Sequence, residues 1–247
     1  MDEPSLLVEH HHDRVVGALN RPGRRNAIDR DLIDRLHALC EELENEPRTL
    51  ILTGTGGDFA AGADIAQLRA RRAADALRGI NANAFIRVRE LPMPVIAAMD
   101  GYALGGGAEL AYAADIRIAT PRLRIGNPEP DLGILAAAGA TLRLREIVGE
   151  ALASEMLLTM RILDADEAHA AGLVSSIHYP ADLMPAAHAV VDRIAAADAL
   201  AIRHTKTALR APRDAHPSID ADLQAELFER PEKMRRMTAF LERKGRP

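Results

Sequence analysis

The residues of this chain best suited to chemistry lie in two glycine-rich segments and two glutamates. The segments are Phe59–Ile65 (FAAGADI) and Gly101–Ala111 (GYALGGGAELA). Each follows an apolar run of buried-strand type and leads into a helical pattern. Such a turn places peptide N–H groups at the C-terminal edge of a sheet, where open α/β sheets bind ligands. Small side chains let a ligand approach the backbone closely. Free N–H groups at a helix N-terminus attract negative charge. One donor from each segment could converge on a carbonyl oxygen that becomes an oxyanion, which stabilises a transition state by a few kcal/mol per donor. Tight packing accounts for either segment alone equally well. A dinucleotide fingerprint does not fit Gly54-Thr55-Gly56-Gly57, because Phe59 stands at the third glycine position.

The carboxylates add a second line of argument. Glu109 falls in the first turn of the helix that begins at the triple glycine, among Ala108, Leu110 and Ala111. A carboxylate there either stabilises the helix dipole at the surface or works in a pocket. Glu129 lies in GNPEPD (Gly126–Asp131), between Pro128 and Pro130. Taken alone it reads as a solvated loop residue. Two carboxylates beside a small-residue pocket can divide acid and base roles if their surroundings separate their pKa values. Sequence alone leaves open whether they meet.

The elements that must position these groups alternate along the chain. Leu6–Val8 and Val15–Leu19 read as a hairpin with His10–Asp13 as its turn. Ile28–Leu43 is an amphipathic helix, with Leu32, Leu36, Leu39 and Leu43 at helical spacing. Cys40 lies beside that stripe and reads as packing. Thr49–Thr53, Val95–Met99 and Ile116–Ala119 are short apolar runs of parallel-strand type. Ile65–Arg89 looks helical, Gly101–Gly107 is a loop, and a helix follows over Ala108–Ala114. Thr141–Val148 and Asp164–Ala171 are helical, Leu173–Ile177 is a strand, and the chain from Ala181 onward is mostly helix. The result is an α/β core over residues 1–180 and a helical C-terminal region over 181–247.

The composition excludes several classes. A chain of 247 residues with 48% apolar residues can bury a substantial core. A net charge of −5 gives no reason to expect nucleic acid or an anionic membrane as partner. Aromatics at 3%, with no Trp, argue against a stacking platform for single strands. One cysteine rules out an internal disulfide and fits a reducing cytoplasm. The acidic N-terminus has no apolar signal region, and no apolar stretch approaches the ~20 residues of a spanning helix. His10, His11 and His12 read as a polar turn, since no carboxylate or cysteine lies at ligand spacing. No metal is expected. Arg69, Arg71, Arg72, Arg78, Arg87 and Arg89 read as a solvated helical face with some members near phosphates, rather than as an RNA site.

FAAGADI, PVIAAMDGYALGGGAELAYAADIRIA and IGNPEPDLGIL together resemble the signature of the enoyl-CoA hydratase/isomerase, or crotonase, family. LNRPGRRNAI (Leu19–Ile28), LTMRILDADEAHAAGLV (Leu158–Val174) and HTKTALR (His204–Arg210) extend the resemblance over nearly the whole chain. It implies a β-β-α spiral core, a helical C-terminal region that builds trimers, and usually a dimer of trimers. It implies an oxyanion hole from the N–H groups of Ala63 and Gly106. Glu109 and Glu129 match the two catalytic glutamates. In hydratases both orient a water, the first chiefly as its base and the second giving a proton to the α-carbon. Ala61, Asp64 and Ile65 match the stretch that lines CoA, with Arg25 and Ala27 nearby. The implied reaction is hydration of a trans-2-enoyl-CoA, with coenzyme A as part of the substrate and no separate cofactor.

The chain departs from the family pattern at Ala136-Ala137-Ala138-Gly139-Ala140-Thr141, where a glycine-rich turn is usual. An alanine keeps its N–H but adds a methyl group and narrows the allowed backbone. The expectation is a slower hydratase, with Ala137 at the water and acyl site. Asn127 and Pro130 also depart from the pattern. Other reactions through the same enolate are the alternatives: double-bond isomerisation, hydrolysis or decarboxylation. An idle acyl-CoA-binding or RNA-binding protein is a further one, but the retention of both glutamates speaks for hydration.

Overall fold

The computed structural model describes residues 3–244. Strand β1 (Leu6–His10) pairs antiparallel with β2 (Arg14–Leu19) around the anticipated turn. Helix α1 (Arg30–Asn45) follows, its N-terminus capped by the Asp29 carboxylate, which accepts from Leu32 N–H at 2.9 Å. Its buried stripe, Leu32, Leu36, Leu39, Cys40 and Leu43, is the one the periodicity indicates. Strand β3 (Thr49–Gly54) is parallel to β2.

The segment 65–89, expected as one helix, is three: α2 (Ile65–Ala70), α3 (Ala73–Leu77) and α4 (Ile80–Glu90). Arg71 and Arg72 are extended, and Gly79 turns left-handed at φ +59°, so the helical hydrogen-bond ladder is cut twice. Strand β4 (Val95–Met99) is buried along its whole length, as a central parallel strand must be.

The loop expected over Gly101–Gly107 contains a strand. Within it β5 (Tyr102–Leu104) pairs with β7 (Arg124–Gly126), and helix α5 (Gly106–Ala113) begins two residues earlier than the sequence pattern suggests. Between them runs β6 (Ile116–Ala119). A 3-10 turn over Glu129–Leu132 leads toward α6 (Ala140–Val148) and the unanticipated α7 (Glu150–Thr159). After β8 (Leu163–Asp164) and α8 (Ala165–Ala170), only β9 (Ser176–Ile177) of the expected Leu173–Ile177 strand joins the sheet. Leu173 and Val174 are buried as a turn instead.

The strands form two sheets, one in the order β1-β2-β3-β4-β6-β9 and one in the order β5-β7-β8. The chain visits both sheets and then makes a helix or turn, as in β4, β5, α5. It repeats this with β6, β7 and the 3-10 turn. An earlier circuit runs from β3 through Ala60, which bridges Ala103, to α2. This is the spiral that the resemblance implies.

The chain divides into compact units between Val191 and Asp192, eleven residues beyond the expected 180/181 division. Helix α9 (Leu183–Ala195) accounts for the difference. Its buried Leu183, Ala187 and Val191, and the 3.0 Å bond from Arg14 Nη1 to the His188 carbonyl, keep it with the first unit. The second unit holds α10 (Ala199–Arg210), α11 (Ser218–Phe228) and α12 (Pro231–Lys244). Leu209, Phe228, Met234, Met237 and Leu241 are exposed in the single chain.

Candidate active site

Successive circuits of the spiral stack equivalent positions. Ala60 bridges Ala103, and Ala103 pairs with Ile125. Three residues beyond the first two of these come Ala63 and Gly106, and four beyond the third comes Glu129. The register therefore delivers one main-chain N–H, a second main-chain N–H and a carboxylate from three adjacent turns.

Packing at the glycines is close. A Cβ on Gly107 would lie 2.1 Å from the Ala60 carbonyl oxygen, so only glycine lets α5 approach the first segment. A Cβ on Gly106 would meet nothing nearer than Ala63 N at 3.6 Å and Asn81 Nδ2 at 3.7 Å. Two expected oxyanion donors thus border one small space. The parallel bridge between Ile28 and Ala63 engages Gly62 C=O and Asp64 N–H, not Ala63 N–H. Among the described residues neither Ala63 N–H nor Gly106 N–H has a protein acceptor.

Both glutamates are buried, Glu109 at 4% exposure and Glu129 at 8%. Glu109 projects from the first turn of α5, all of whose residues are buried. Its Oε1 accepts from Ala138 N–H at 2.7 Å and from Ala140 N–H at 3.2 Å. Burial pushes its pKa up to about 7, and the charge of Glu129 pushes the same way, while the N–H groups of Ala140 and Ala138 pull against them. Glu129 opens the 3-10 turn. Its Oε2 is buried without a hydrogen-bond partner, and burial raises its pKa too, opposed by its own N–H and by the Asn127 amide. Asn127 is itself fixed: Tyr112 Oη donates to its Oδ1 at 3.0 Å and its Nδ2 reaches the Gly105 carbonyl at 3.4 Å.

The other candidates fall in two places. Residues 25–28 and 61–64 run side by side, with Ala61 N–H donating to the Arg25 carbonyl at 2.9 Å. This groups Arg25, Ala27, Ala61, Asp64 and Ile65 near Ala63. The Arg25 guanidinium stacks over the Tyr102 ring at 5.0 Å, and Ile65 is exposed. Asp64 commits its oxygens elsewhere. It caps α2 through Ala66 and Gln67 and pairs with Arg21 at 3.2 Å and Arg24 at 3.3 Å. Burial pushes its carboxyl up, but the Gln67 N–H and these arginines outweigh that and hold it below the usual range. Ala137 is exposed in the turn before α6, while its neighbours Ala138 and Ala140 supply the N–H groups on Glu109. Sequence reasoning missed these two, and Tyr112 as the anchor of Asn127. An alanine N–H carries no sequence signal. Tyr112, the one aromatic of α5, could have been flagged.

Among the described residues no group of three or more His, Cys, Asp and Glu is placed to hold a metal ion. No helix among them is long and apolar enough to cross a membrane.

The chain as a whole is similar to known proteins. The sequence profile of the enoyl-CoA hydratase/isomerase family matches residues 15–247. A crotonyl-CoA hydratase of Syntrophomonas wolfei is 34% identical over 97% of this chain and 96% of its own length. A short-chain-enoyl-CoA hydratase of Clostridium acetobutylicum is 34% identical over 99% and 97%. The crystal structure of an enoyl-CoA hydratase from Bacillus anthracis superposes with a TM-score of 0.91 at 29% identity, covering 97% of this chain and 96% of that one. DspI of Pseudomonas aeruginosa superposes with a TM-score of 0.90 at 33% identity, covering 98% and 96%. The fold is the crotonase spiral, and the chain belongs to the enoyl-CoA hydratase/isomerase family.

Proposed function

We propose that this protein is an enoyl-CoA hydratase, adding water to a trans-2-enoyl-CoA to give a 3-hydroxyacyl-CoA. The observation that carries the reading is the burial of two carboxylates, Glu109 and Glu129, within electrostatic reach of each other, together with two N–H groups, of Ala63 and Gly106, that meet no protein acceptor among the described residues. Relatives bearing the names crotonyl-CoA hydratase and short-chain-enoyl-CoA hydratase support it.

In this reading the thioester oxygen sits between Ala63 N–H and Gly106 N–H. Glu109, fixed by two N–H groups and titrating near neutrality, takes a proton from water as the water oxygen bonds to the β-carbon. The electron pair of the double bond moves toward the thioester oxygen, where the N–H groups stabilise the developing charge. Glu129, whose pKa burial raises, gives a proton to the α-carbon as the enolate collapses. The proton held by Glu109 then restores Glu129, and the balance is one water added. A base whose pKa lies near the working pH is the efficient choice for the first step.

Arg25, Ala27, Ala61, Asp64 and Ile65 form the side on which CoA binds, with Asp64 shaping the rim rather than touching the ligand. Ala137 stands at the mouth of the acyl side. The only cofactor-like group is the CoA of the substrate. The exposed Leu209, Met234, Met237 and Leu241 suit burial in a homotrimer or a dimer of trimers. The protein acts in the cytoplasm, in fatty-acid metabolism, with no nucleic-acid or membrane partner. The test is a panel of CoA thioesters, crotonyl to long-chain, followed by loss of the enoyl absorbance. Turnover of none, or isomerisation alone, would overturn the reading.

A further inference from the structure

We infer that Asn81 is a third hydrogen-bond donor to the substrate's thioester oxygen, its amide oriented by Arg71; this deepens the enolate reading above and rests on it. Helix α4 buries Asn81, Ala84, Phe85 and Val88, and Asn81 is the one polar residue of that face. A carboxamide taken out of water is costly unless its hydrogen bonds are remade. One is remade: Asn81 Oδ1 accepts from Arg71 Nη2 at 3.0 Å. A guanidinium has donors only, so this contact decides which end of the amide is the oxygen.

The Nδ2 end then faces the other way. It lies 3.7 Å from the point where a Cβ on Gly106 would stand, and Ala63 N lies 3.6 Å from the same point. Among the described residues Nδ2 donates to no protein acceptor, and Arg71 pairs with no carboxylate. Ala63, Gly106 and Asn81 therefore border one space, left open because residue 106 has no side chain. An unneutralised guanidinium on Oδ1 polarises the amide and strengthens its N–H as a donor, since linked hydrogen bonds reinforce one another in a low-dielectric site. The arrangement suits an oxygen that gains negative charge during reaction, so the donor acts more on the transition state than on the bound substrate.

The experiment reads carbonyl polarisation directly. Bound to the parent protein, cinnamoyl-CoA should absorb at longer wavelength than in water. Asn81→Leu removes the amide at similar volume, and Asn81→Asp keeps an oxygen for Arg71 but removes the donor. Both should lose part of the wavelength shift. Both should lower kcat on crotonyl-CoA on the order of 10-fold or more, as removal of an oxyanion donor does, with KM little changed. Arg71→Met frees the amide to turn and should lose a smaller part of the shift. If Asn81→Leu does not fold, the isosteric Asn81→Asp decides. A full parental shift in the Asn81 variants overturns the proposal whatever happens to kcat, because a merely structural residue would lower the rate and leave the bound spectrum alone. A parent that shifts the probe but hydrates no enoyl-CoA sinks the hydratase reading and not this one. A parent that hydrates crotonyl-CoA but shifts nothing on binding the probe overturns this proposal and leaves the hydratase reading standing.

Discussion

Glu109 and Glu129 come within electrostatic reach of each other from two unlike pieces of backbone. Glu109 stands on α5, a helix buried along its whole length, and two N–H groups from the turn before α6 fix its Oε1. Glu129 stands on a single 3-10 turn between two prolines and keeps an unpartnered buried oxygen. Burial raises both pKa values, opposed at Glu109 by the N–H groups of Ala140 and Ala138 and at Glu129 by its own N–H and the Asn127 amide. The difference teaches how one residue type can take two roles: the gripped carboxylate is held in place and titrates near neutrality, while the other keeps a buried oxygen that no protein donor occupies.

The hardest test of that division removes each charge. Glu109→Gln and Glu129→Gln should each lower kcat for hydration by roughly 10²-fold or more, the scale of lost acid–base catalysis. Binding of a CoA ester should change little. Near-parental rates in both variants would end the assignment of roles.

A second test uses pH. The folded protein holds the Glu109 proton up to about pH 7, whereas the ordinary value is 4.5. Between those values the unfolded chain binds fewer protons than the folded one, so stability falls as pH rises through this window. Below the window Glu109 contributes nothing. Above it the full cost is present, up to roughly 3 kcal/mol for a shift of this size. Glu109→Gln has no proton to lose, so denaturant melts from pH 4 to 8 should show a flatter profile and a variant more stable than the parent at pH 8. The acid limb of the parent's kcat/KM should fall near neutrality. Parallel stability profiles for the two proteins would show that Glu109 carries no such penalty.

A smaller effect isolates Glu129. Gly105 has φ +52°, and a Cβ there would lie 2.9 Å from Glu129 Oε1. Gly105→Ala should strain the backbone and push the carboxylate aside, lowering kcat on the order of 10-fold, since displacement by ~1 Å can cost up to 10²-fold. In a Glu129→Gln background the same substitution should cost much less. Equal losses in the two backgrounds would mean that Gly105 serves α5 rather than Glu129.

The extent to which these features were legible in sequence follows from the range of the interactions. The stripe of α1 and the runs of β3 and β4 are local patterns of apolar residues, and they fold as read. Tyr102–Leu104 reads as loop because its strand character comes from pairing with Arg124–Gly126, far along the chain. The single helix expected over 65–89 fails at Gly79 and at Arg71–Arg72, where extended backbone carries no apolar signal. At the site the glutamates and small residues were visible as types. The stacking of Ala60, Ala103 and Ile125, which brings them together, is a matter of register between distant segments. The donors on Glu109 are peptide groups of alanines, which no side-chain pattern marks.

The smallest expected effect lies in the turn that carries those donors. The Ala136–Ala138 run stands where the family resemblance implies glycines, which suggested that an added methyl group at Ala137 disturbs the water. Ala136 is buried and Ala138 half-buried, but Ala137 is exposed. The N–H groups that reach Glu109 belong to Ala138 and Ala140, at 2.7 and 3.2 Å. Deleting an exposed methyl group usually changes stability by less than about 0.5 kcal/mol, so Ala137→Gly should alter hydration by less than about twofold. Ala138→Gly is different, because it loosens the residue that holds Glu109 most closely, and the greater freedom of glycine costs roughly 0.5–1 kcal/mol in an ordered backbone. Its hydration rate should fall a few-fold. Double-bond isomerisation, which needs no water held between the carboxylates, should fall less. The comparison is made with both variants and both reactions on the same enoyl-CoA. A selective change in hydration from Ala137→Gly, with Ala138→Gly silent, would place the control of the water in the methyl group of Ala137 and not in the peptide hydrogens that grip Glu109.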